Sequence, residues 1–483
     1  MRTLHKLINR LIIVAAILSL ISACAVGPDY VKSTVPVPES YKENKEWKMA
    51  EPKDDMPHGP WWEIFNDPKL NSFEEQVKIS NQNIAMAEAQ FRQANAMVQA
   101  AASSYFPTIT ANPAATRSLR SSNVVQSTTP PGVNTVYNAP LNISSWELDV
   151  WGRIRRNVEA AQASAQASAA DLEAVRLSVH AALAQNYFLV RVLDRQKQLL
   201  DATVQAYRRS LELATNQYKS GIVSRADVLQ AETQLKTIQA QAIDIGVQRA
   251  QTEHAVALLA GRPASDFSIP VSPLDTTPPS IPVGVPSELL ERRPDIAGAE
   301  RRVAAANARI GVAKAAYFPT VTLTGAMGYQ SVDSFNWFAW PSRFWSVGPA
   351  IAETLFDGGL RGAMSDQARA VYDANVASYR QIVLTGFQEV EDNLAALRIL
   401  EQEAFAQDEA VTTARKSLEF SLNQYKQGTV SYLNVITAQV AVLNSEKTAL
   451  SILGRRMTAS VLLIKALGGD WKISSTGDSS PPR

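Results

Sequence analysis

The chain has 483 residues, 47 Lys and Arg against 46 Asp and Glu, a formal net charge of +1 and a pI near 7.8. That balance excludes a broad cationic field for nucleic acid, because the positive residues are spread along the chain without a basic run. The length exceeds one compact core and implies several substructures or an elongated body.

Residues 1–23 read as a lipoprotein signal peptide. Arg2, Lys6 and Arg10 form a basic opening, and the apolar stretch 11–21 is too short to span a bilayer comfortably. Ile21-Ser22-Ala23-Cys24 has the form of a bacterial lipobox, with Ile21 where Leu is commoner, so Cys24 is the expected lipid attachment point. The competing reading is an ordinary secretory signal followed by a buried Cys. As the only cysteine, Cys24 can form no internal disulfide. Its covalent lipid is the one non-protein group expected, at ~0.8 kcal/mol per buried CH₂. Ala25 stands where Gram-negative lipoproteins carry Asp when retained at the inner membrane, which points outward. After the lipidated segment 24–70, no stretch is apolar enough for a transmembrane helix, so any span must be made of strands.

A helix is expected over 71–104, stopping before Phe106-Pro107 because the residue before proline disfavours the α region. Residues 105–149 read as a β-hairpin around a Ser/Thr/Pro/Gly loop; Tyr137, Ala139, Leu141 and Ile143 alternate with Asn138, Asn142 and Ser144. The stretch 153–220 has no Pro or Gly and predicts a helix of roughly 100 Å. Gly221 breaks it at a C′ position, and Ser224 can cap a return helix, 224–260, that ends at Gly261-Arg262-Pro263. A proline-rich connector follows over 263–293. The second half, 294–468, runs through a helix from Asp295, a hairpin at about 317–356, a long helix 360–427, a break at Gly428 and a return helix 431–467; the tail 469–483 carries no pattern. In this hairpin Thr320, Thr322 and Thr324 alternate with Val321 and Leu323. Trp337, Trp340 and Trp345 are candidate membrane-interface aromatics. Glu353 falls on the apolar register of Trp345, Val347 and Ile351, so the strand should end or bulge before it.

The two halves are one unit used twice. Ile84-Ala85-Met86-Ala87-Glu88 through Tyr105-Phe106-Pro107-Thr108 recurs as Ile296-Ala297-Gly298-Ala299-Glu300 through Tyr317-Phe318-Pro319-Thr320, at a constant offset of 212. Asn216-Gln217-Tyr218-Lys219-Ser220-Gly221 recurs as Asn423-Gln424-Tyr425-Lys426-Gln427-Gly428 at an offset of 207. Two hairpins supply four strands, short of the roughly eight that close the smallest bacterial single-chain barrels, and open edges are forbidden in lipid. Closure therefore requires other copies of the chain, although the pattern does not fix how many.

The chain resembles the outer-membrane efflux channel family, in its lipoprotein branch serving resistance-nodulation-division pumps. The likeness covers nearly the whole mature chain. It rests on Cys24-Ala25-Val26-Gly27-Pro28-Asp29-Tyr30 with Pro36, Pro38 and Tyr41, on Trp61-Trp62-Glu63-Ile64-Phe65-Asn66-Asp67-Pro68 with Leu70, and on Leu148-Asp149-Val150-Trp151-Gly152-Arg153 and Phe356-Asp357-Gly358-Gly359 opening the long helices. Thr34 stands where the branch usually has Pro. The resemblance implies a mainly α fold with a membrane β-barrel: a homotrimer whose four strands per protomer complete a 12-stranded barrel, above a helical barrel crossing the periplasm. It implies as partners a periplasmic adaptor, an inner-membrane pump and outer-membrane lipid, with no nucleic acid. The turns bearing Tyr218, Lys219, Gly221, Tyr425, Lys426 and Gly428 would meet the adaptor. Against that, these read simply as helix-end residues, with Lys placed for the dipole. Relatives narrow the tip with a Leu, then an Asp, then an Arg; here Leu433, Thr437 and Val440 stand there, so the charged pair is missing. Asp227 is the nearest acid at the first turn.

No enzyme constellation is present in the sequence. His5, His58, His180 and His254 lack metal-ligand spacing, and no phosphate-loop, nucleophile-elbow or dinucleotide motif occurs. The function expected is a passive exit duct for small molecules in a tripartite efflux system. The alternatives are a duct for type I protein secretion and a non-channel periplasmic adaptor lipoprotein.

Overall fold

The computed structural model describes residues 25–38, 40–44, 60–119, 121, 133–274, 277–279, 281 and 292–469. The signal segment, Cys24, His58, most of the first hairpin's loop, parts of the connector and the tail beyond 469 lie outside the described residues. The seven helices described from residue 68 on are α1 (Pro68–Ser80), α2 (Gln82–Ala102), α3 (Arg153–Lys219), α4 (Arg225–Leu259), α5 (Pro294–Ala315), α6 (Leu360–Lys426) and α7 (Tyr432–Ala466). The strands are β1 (Ile109–Ala111), β2 (Ala114–Leu119), β3 (Val133–Glu147), β4 (Thr320–Ser331) and β5 (Arg343–Ala352). Among the described residues no helix is long and apolar enough to cross a membrane.

The chain divides into two compact units. One contains the stretch up to Thr34, Phe91–Ser168 and Ala299–Tyr379; the other contains Val35–Gln90, Ala169–Gly298 and the chain from Arg380 onward.

In the first unit all strands join one antiparallel sheet in the order β1-β3-β4-β5, with β2 also pairing β3. The sheet is therefore four positions wide. Its first position is split into β1 and β2 at Asn112-Pro113, since proline has no N–H for the ladder. The two hairpins are joined through β3 and β4, in register from Tyr137↔Ser331 to Ile143↔Gly325, with a bulge before Trp146↔Leu323. β5 ends at Ala352, one residue before Glu353.

Aspartates start the long helices. Asp149 accepts the backbone N–H groups of Ile154 and Arg155 at 2.8 and 2.9 Å, and Asp357 accepts those of Gly359 and Arg361 at 3.0 and 3.2 Å. Trp151 donates from Nε1 to the Pro319 carbonyl at 2.7 Å and stacks on Phe318, joining two of the recurring motifs. The N-terminal strap explains its own composition. Val26 N–H donates to the Trp151 carbonyl, Asn307 to that of Pro28, Arg156 pairs with Asp29 at 2.7 Å, and the Tyr30 hydroxyl donates to Glu300. Gly27 crosses Gly311 so closely that a Cβ on Gly27 would lie 2.5 Å from the Gly311 Cα.

In the second unit the expected helix over 71–104 is two helices, α1 and α2, broken at Asn81. The break is a joint. The Asn81 side chain accepts the N–H groups of Asn83 and Ile84 and donates to the Leu259 carbonyl at 2.7 Å, capping α4. Gly261, at φ +69°, packs on the Ser80 carbonyl where a Cβ would come within 2.1 Å. The second repeat rebuilds this joint with Arg293, which donates to Ala466 O at 3.2 Å, while Gly468 packs on the Arg292 carbonyl. Asp67 caps α1 and also accepts the Tyr187 hydroxyl at 2.6 Å, over a core of Trp61, Phe65, Leu70, Phe73 and Phe188. The connector is pinned by Arg191 and Arg249, which donate to the carbonyls of Pro270 and Ile269.

Glu74 on α1 is wholly buried, with Oε2 2.6 Å from His180 Nδ1 and Trp62 stacked on the imidazole. Burial raises the Glu74 carboxyl well above the usual carboxylate range. Burial, helped by Arg176 and Lys78, lowers His180 to about 4. The folded pair thus holds one proton, on Glu74. The unfolded chain also holds one between the ordinary values of 4.5 for Glu and 6.5 for His, so this pair makes stability flat there. Wherever folded Glu74 holds a proton that the unfolded chain has already given up, its contribution falls as pH rises, opposite in sign to that of His180. Glu74→Gln removes the folded-state proton. Stability should then rise between about 4 and 6.5, as lowered His180 dictates, and level off above. Unfolding midpoints of both proteins across that range check this; a wild-type curve that also climbs below 6.5 would mean the buried carboxyl is ionised.

Candidate functional site

The sheet has two chemically different faces. Ladder rows Ile109–Ile143–Gly325–Val347 and Ala111–Leu141–Met327–Trp345, with Val321, Leu323, Pro349 and Ile351, form one side. Thr110–Asn142–Ala326–Ser346, with Thr322, Thr324, Asn138 and Gln330, form the other. The apolar side is unburied: Trp345 is 79% exposed and Val347, Ile351 and Met327 are exposed with it. A water-facing sheet does not display such a face, whereas a wall between lipid and water requires it. The sheet's outer strands, β1 with β2 on one side and β5 on the other, each have a strand partner on one side only.

The β4–β5 loop lies at the end of the sheet opposite the helix starts. Phe335 is 97% and Trp340 73% exposed there, while Trp337 is half-buried, stacked on Phe338 at 5.0 Å and beside Tyr137 at 5.2 Å. Trp340 and Trp345 thus face outward, and Trp337 braces the loop. Sequence reading passed over Arg117 and Arg343. The register puts both on the apolar side, opposite Thr135 and Tyr329, and only pairing reveals this.

In the second unit the two turns share one backbone design. Gly221 N–H donates to Tyr218 O and Ile222 N–H to Gln217 O; Gly428 N–H donates to Tyr425 O and Thr429 N–H to Gln424 O. Each is a Schellman ending with glycine left-handed, at φ +74° and +72°. The side chains have diverged. Tyr218 is 44% exposed and Lys219 and Lys426 are exposed, but Tyr425 is 1% exposed, packed 5.2 Å from Tyr432 over Ala214, Ala231 and Val435. Tyr425 is therefore a core residue, not the contact residue the sequence suggested. Burial, with nearby Asp227 and Tyr432, pushes its hydroxyl up to about 12.

Asp227, a candidate for the aperture, caps the start of its own helix. Its Oδ2 accepts Ser224 N–H and Oγ at 3.1 Å while its own N–H donates to Ser224 Oγ, a capping box that turns the carboxylate back onto the chain. Asn434 occupies the matching place after Ser431, which makes no side-chain cap. Leu433 (57% exposed), Thr437 and Val440 share one open stripe of α7, which continues through Asn444, Thr448, Ser451 and Arg455. The latter four line a groove of about 1000 Å³ with Gln185 of α3, Gln248 of α4 and Asn393 of α6; no carboxylate lines it. The continuing spacing of three and four along α7 was the available signal for this wall. Among the described residues no group of three or more His, Cys, Asp or Glu is placed to hold a metal ion.

Comparison with known proteins gives consistent likenesses. The pattern of the outer membrane efflux protein family matches residues 75–262 and 285–469. The toluene efflux pump outer membrane protein TtgC of Pseudomonas putida is 28% identical over 455 residues, covering 94% of each chain. The solvent efflux pump outer membrane protein SrpC of the same species is 30% identical over 462 residues, covering 95% of this chain and 97% of its own. Among solved structures, the outer-membrane channel OprN superposes with a TM-score of 0.86 at 29% identity, covering 92% of this chain and 99% of its own.

The cap asymmetry is testable. Ser224→Ala should cost about 1 kcal/mol at the start of α4, seen as faster amide exchange at 225–228, whereas Ser431→Ala should leave exchange at 432–435 unchanged. Unchanged exchange at 225–228 in Ser224→Ala would mean that the box carries no stability.

Proposed function

The chain belongs to the outer membrane efflux protein family, and we propose that it is the passive exit duct of a tripartite efflux system, closed in the outer membrane by three copies of itself. The observation that carries this reading is the exposed apolar face of the sheet, bounded by β1 with β2 and by β5 at its two margins. Hydrocarbon leaves no partner for backbone N–H and C=O groups, so strands from sister subunits must complete the ladder. Three four-position sheets give about 12 strands, a lumen wide enough for small molecules. The polar face of Thr, Asn and Gln then lines water.

The helical turns at Gly221 and Gly428 meet a periplasmic adaptor that links the duct to an inner-membrane pump of the resistance-nodulation-division type. Tyr218, Lys219 and Lys426 are the exposed groups available for it. Cys24 carries the lipid that tethers the mature chain to the outer membrane. Substrates are small molecules such as drugs, toxic compounds or metal ions, handed over by the pump. The duct itself performs no chemistry; the groove mixes apolar and amide side chains with Lys447 and Arg455 and has no carboxylate, so it holds no cation tightly.

Detergent-extracted protein should be a trimer that conducts ions in planar bilayers; a water-soluble, non-conducting monomer would overturn the reading. With Thr437 and Val440 at the narrowing, millimolar divalent cations should change the conductance little. Thr437→Asp, which sets three carboxylates around the axis of a trimer, should introduce block by divalent cations at low salt. Strong block of the wild type, lost on Asp227→Ala, would instead place the aperture at the first turn.

A further inference from the structure

We propose that the outward rim of the sheet, at the end remote from the helices, binds phosphate-bearing lipid headgroups through Arg117 and Arg343. The proposal rests on the outer-membrane reading and adds a ligand class and a site to it. Arg117 stands opposite Thr135, two residues from Tyr137 on the apolar side, and Arg343 stands opposite Tyr329 on that same side. Both are exposed. Arg343 donates from Nε to the Trp340 carbonyl at 3.1 Å and lays its guanidinium over the Trp340 ring, and neither contact uses the hydrogens of its terminal nitrogens.

Among the described residues no carboxylate pairs with either arginine. Asp333, in the same loop, is spent on the Phe335 N–H and the Asn336 amide. The carboxylates next to the sheet cluster at its other end, where Glu147 pairs with Arg153, Asp357 with Arg361, and Glu353 follows β5. A lipid-facing arginine is costly at mid-bilayer and tolerated at the headgroup level. Tyr137, Tyr329, Trp340 and Trp345 around these two are the residues that mark that level. The anion available there is phosphate, which the planar guanidinium grips with two hydrogen bonds. Arg117 lies on β2 and Arg343 on β5, the two margins of the sheet. In a closed ring β5 of one copy meets β1 and β2 of the next, so each junction receives one arginine from either side. The occupant is a phosphorylated lipid of the outer leaflet, not a free anion, because the flanking surface is apolar.

The test uses the purified full-length trimer in detergent, titrated with phosphorylated lipid A, with the same lipid dephosphorylated, and with inorganic phosphate, and read by native mass spectrometry. The wild type should bind the phosphorylated lipid roughly tenfold more tightly than the dephosphorylated one. R117Q/R343Q should erase that preference while keeping SDS-resistant trimers and conductance, and R117K/R343K should recover part of it. Should the double variant fail to assemble, R117Q and R343Q singly should each lower the preference. Equal wild-type binding of both lipids, a preference unchanged in the glutamine variants, or displacement of the lipid by inorganic phosphate would each overturn the site. Loss of the duct reading would show separately, as wild-type trimers that do not conduct.

Discussion

The constraint on which the rest depends is the hydrogen-bonding capacity of the strand edges. A sheet four positions wide with one face of Ile, Leu, Met, Val and Trp cannot rest in water, and with two open margins it cannot rest in lipid. Neither margin can be covered from within the chain's own sheet, because β3 and β4 already join the two hairpins to each other. The proposed association of copies is what would satisfy both solvents at once. The short first hairpin position, split at Pro113, is tolerable only at such a margin, where one side of the strand awaits its partner.

Duplication supplied the helices with a repeated set of joints. Asp149 and Asp357 start the long helices, Gly221 and Gly428 end them, and Gly261 and Gly468 seat the return helices on the carbonyls of Ser80 and Arg292. Each joint uses a residue whose role is fixed by backbone geometry: a short acceptor for orphan N–H groups, or a glycine where φ is positive or a Cβ would collide. What lies between the joints was free to diverge. Asn81 and Arg293 do the same capping with different chemistry, and the latter recruits Asp295 and Glu389 to hold its charge in a buried place.

Much of this was legible because it is periodic or punctuated. The sequence reading ends the long helices at 220 and 427, where the structure ends them at Lys219 and Lys426, since glycine and the absence of proline are local signals. The alternation at Thr320–Thr324 and Tyr137–Ile143 is likewise local, and the two faces of the sheet follow it. What escaped was tertiary. Asn81 reads as an ordinary helical residue until Leu259 and Gly261 are set against it. Tyr218 and Tyr425 occupy identical motifs, yet one is open and the other is core, because Tyr432 stands where the first turn has Arg225. Arg117 and Arg343 look unremarkable in sequence, since only strand pairing places them on the lipid side.

That same exchange at the turns bears on how the two return helices are held. In the first turn a carboxylate is present but consumed by its own helix start; in the second the return helix is anchored by two buried tyrosines over small residues, with a neutral Asn where the first turn has Asp227. Packing of that kind is insensitive to salt and nearly so to pH, because the groups that hold it carry no charge in the ordinary range. The exposed stripe beyond it continues as Leu, Thr, Val, Asn and Ser before reaching Arg455, whose nearest acid, Glu403, is 3.5 Å away across a solvent-exposed gap. The hydroxyl and amide groups of such a stripe offer a solute only hydrogen bonds that water already supplies. Weak, uniform contact is what a passive duct needs, so selectivity must be exercised before the cargo arrives.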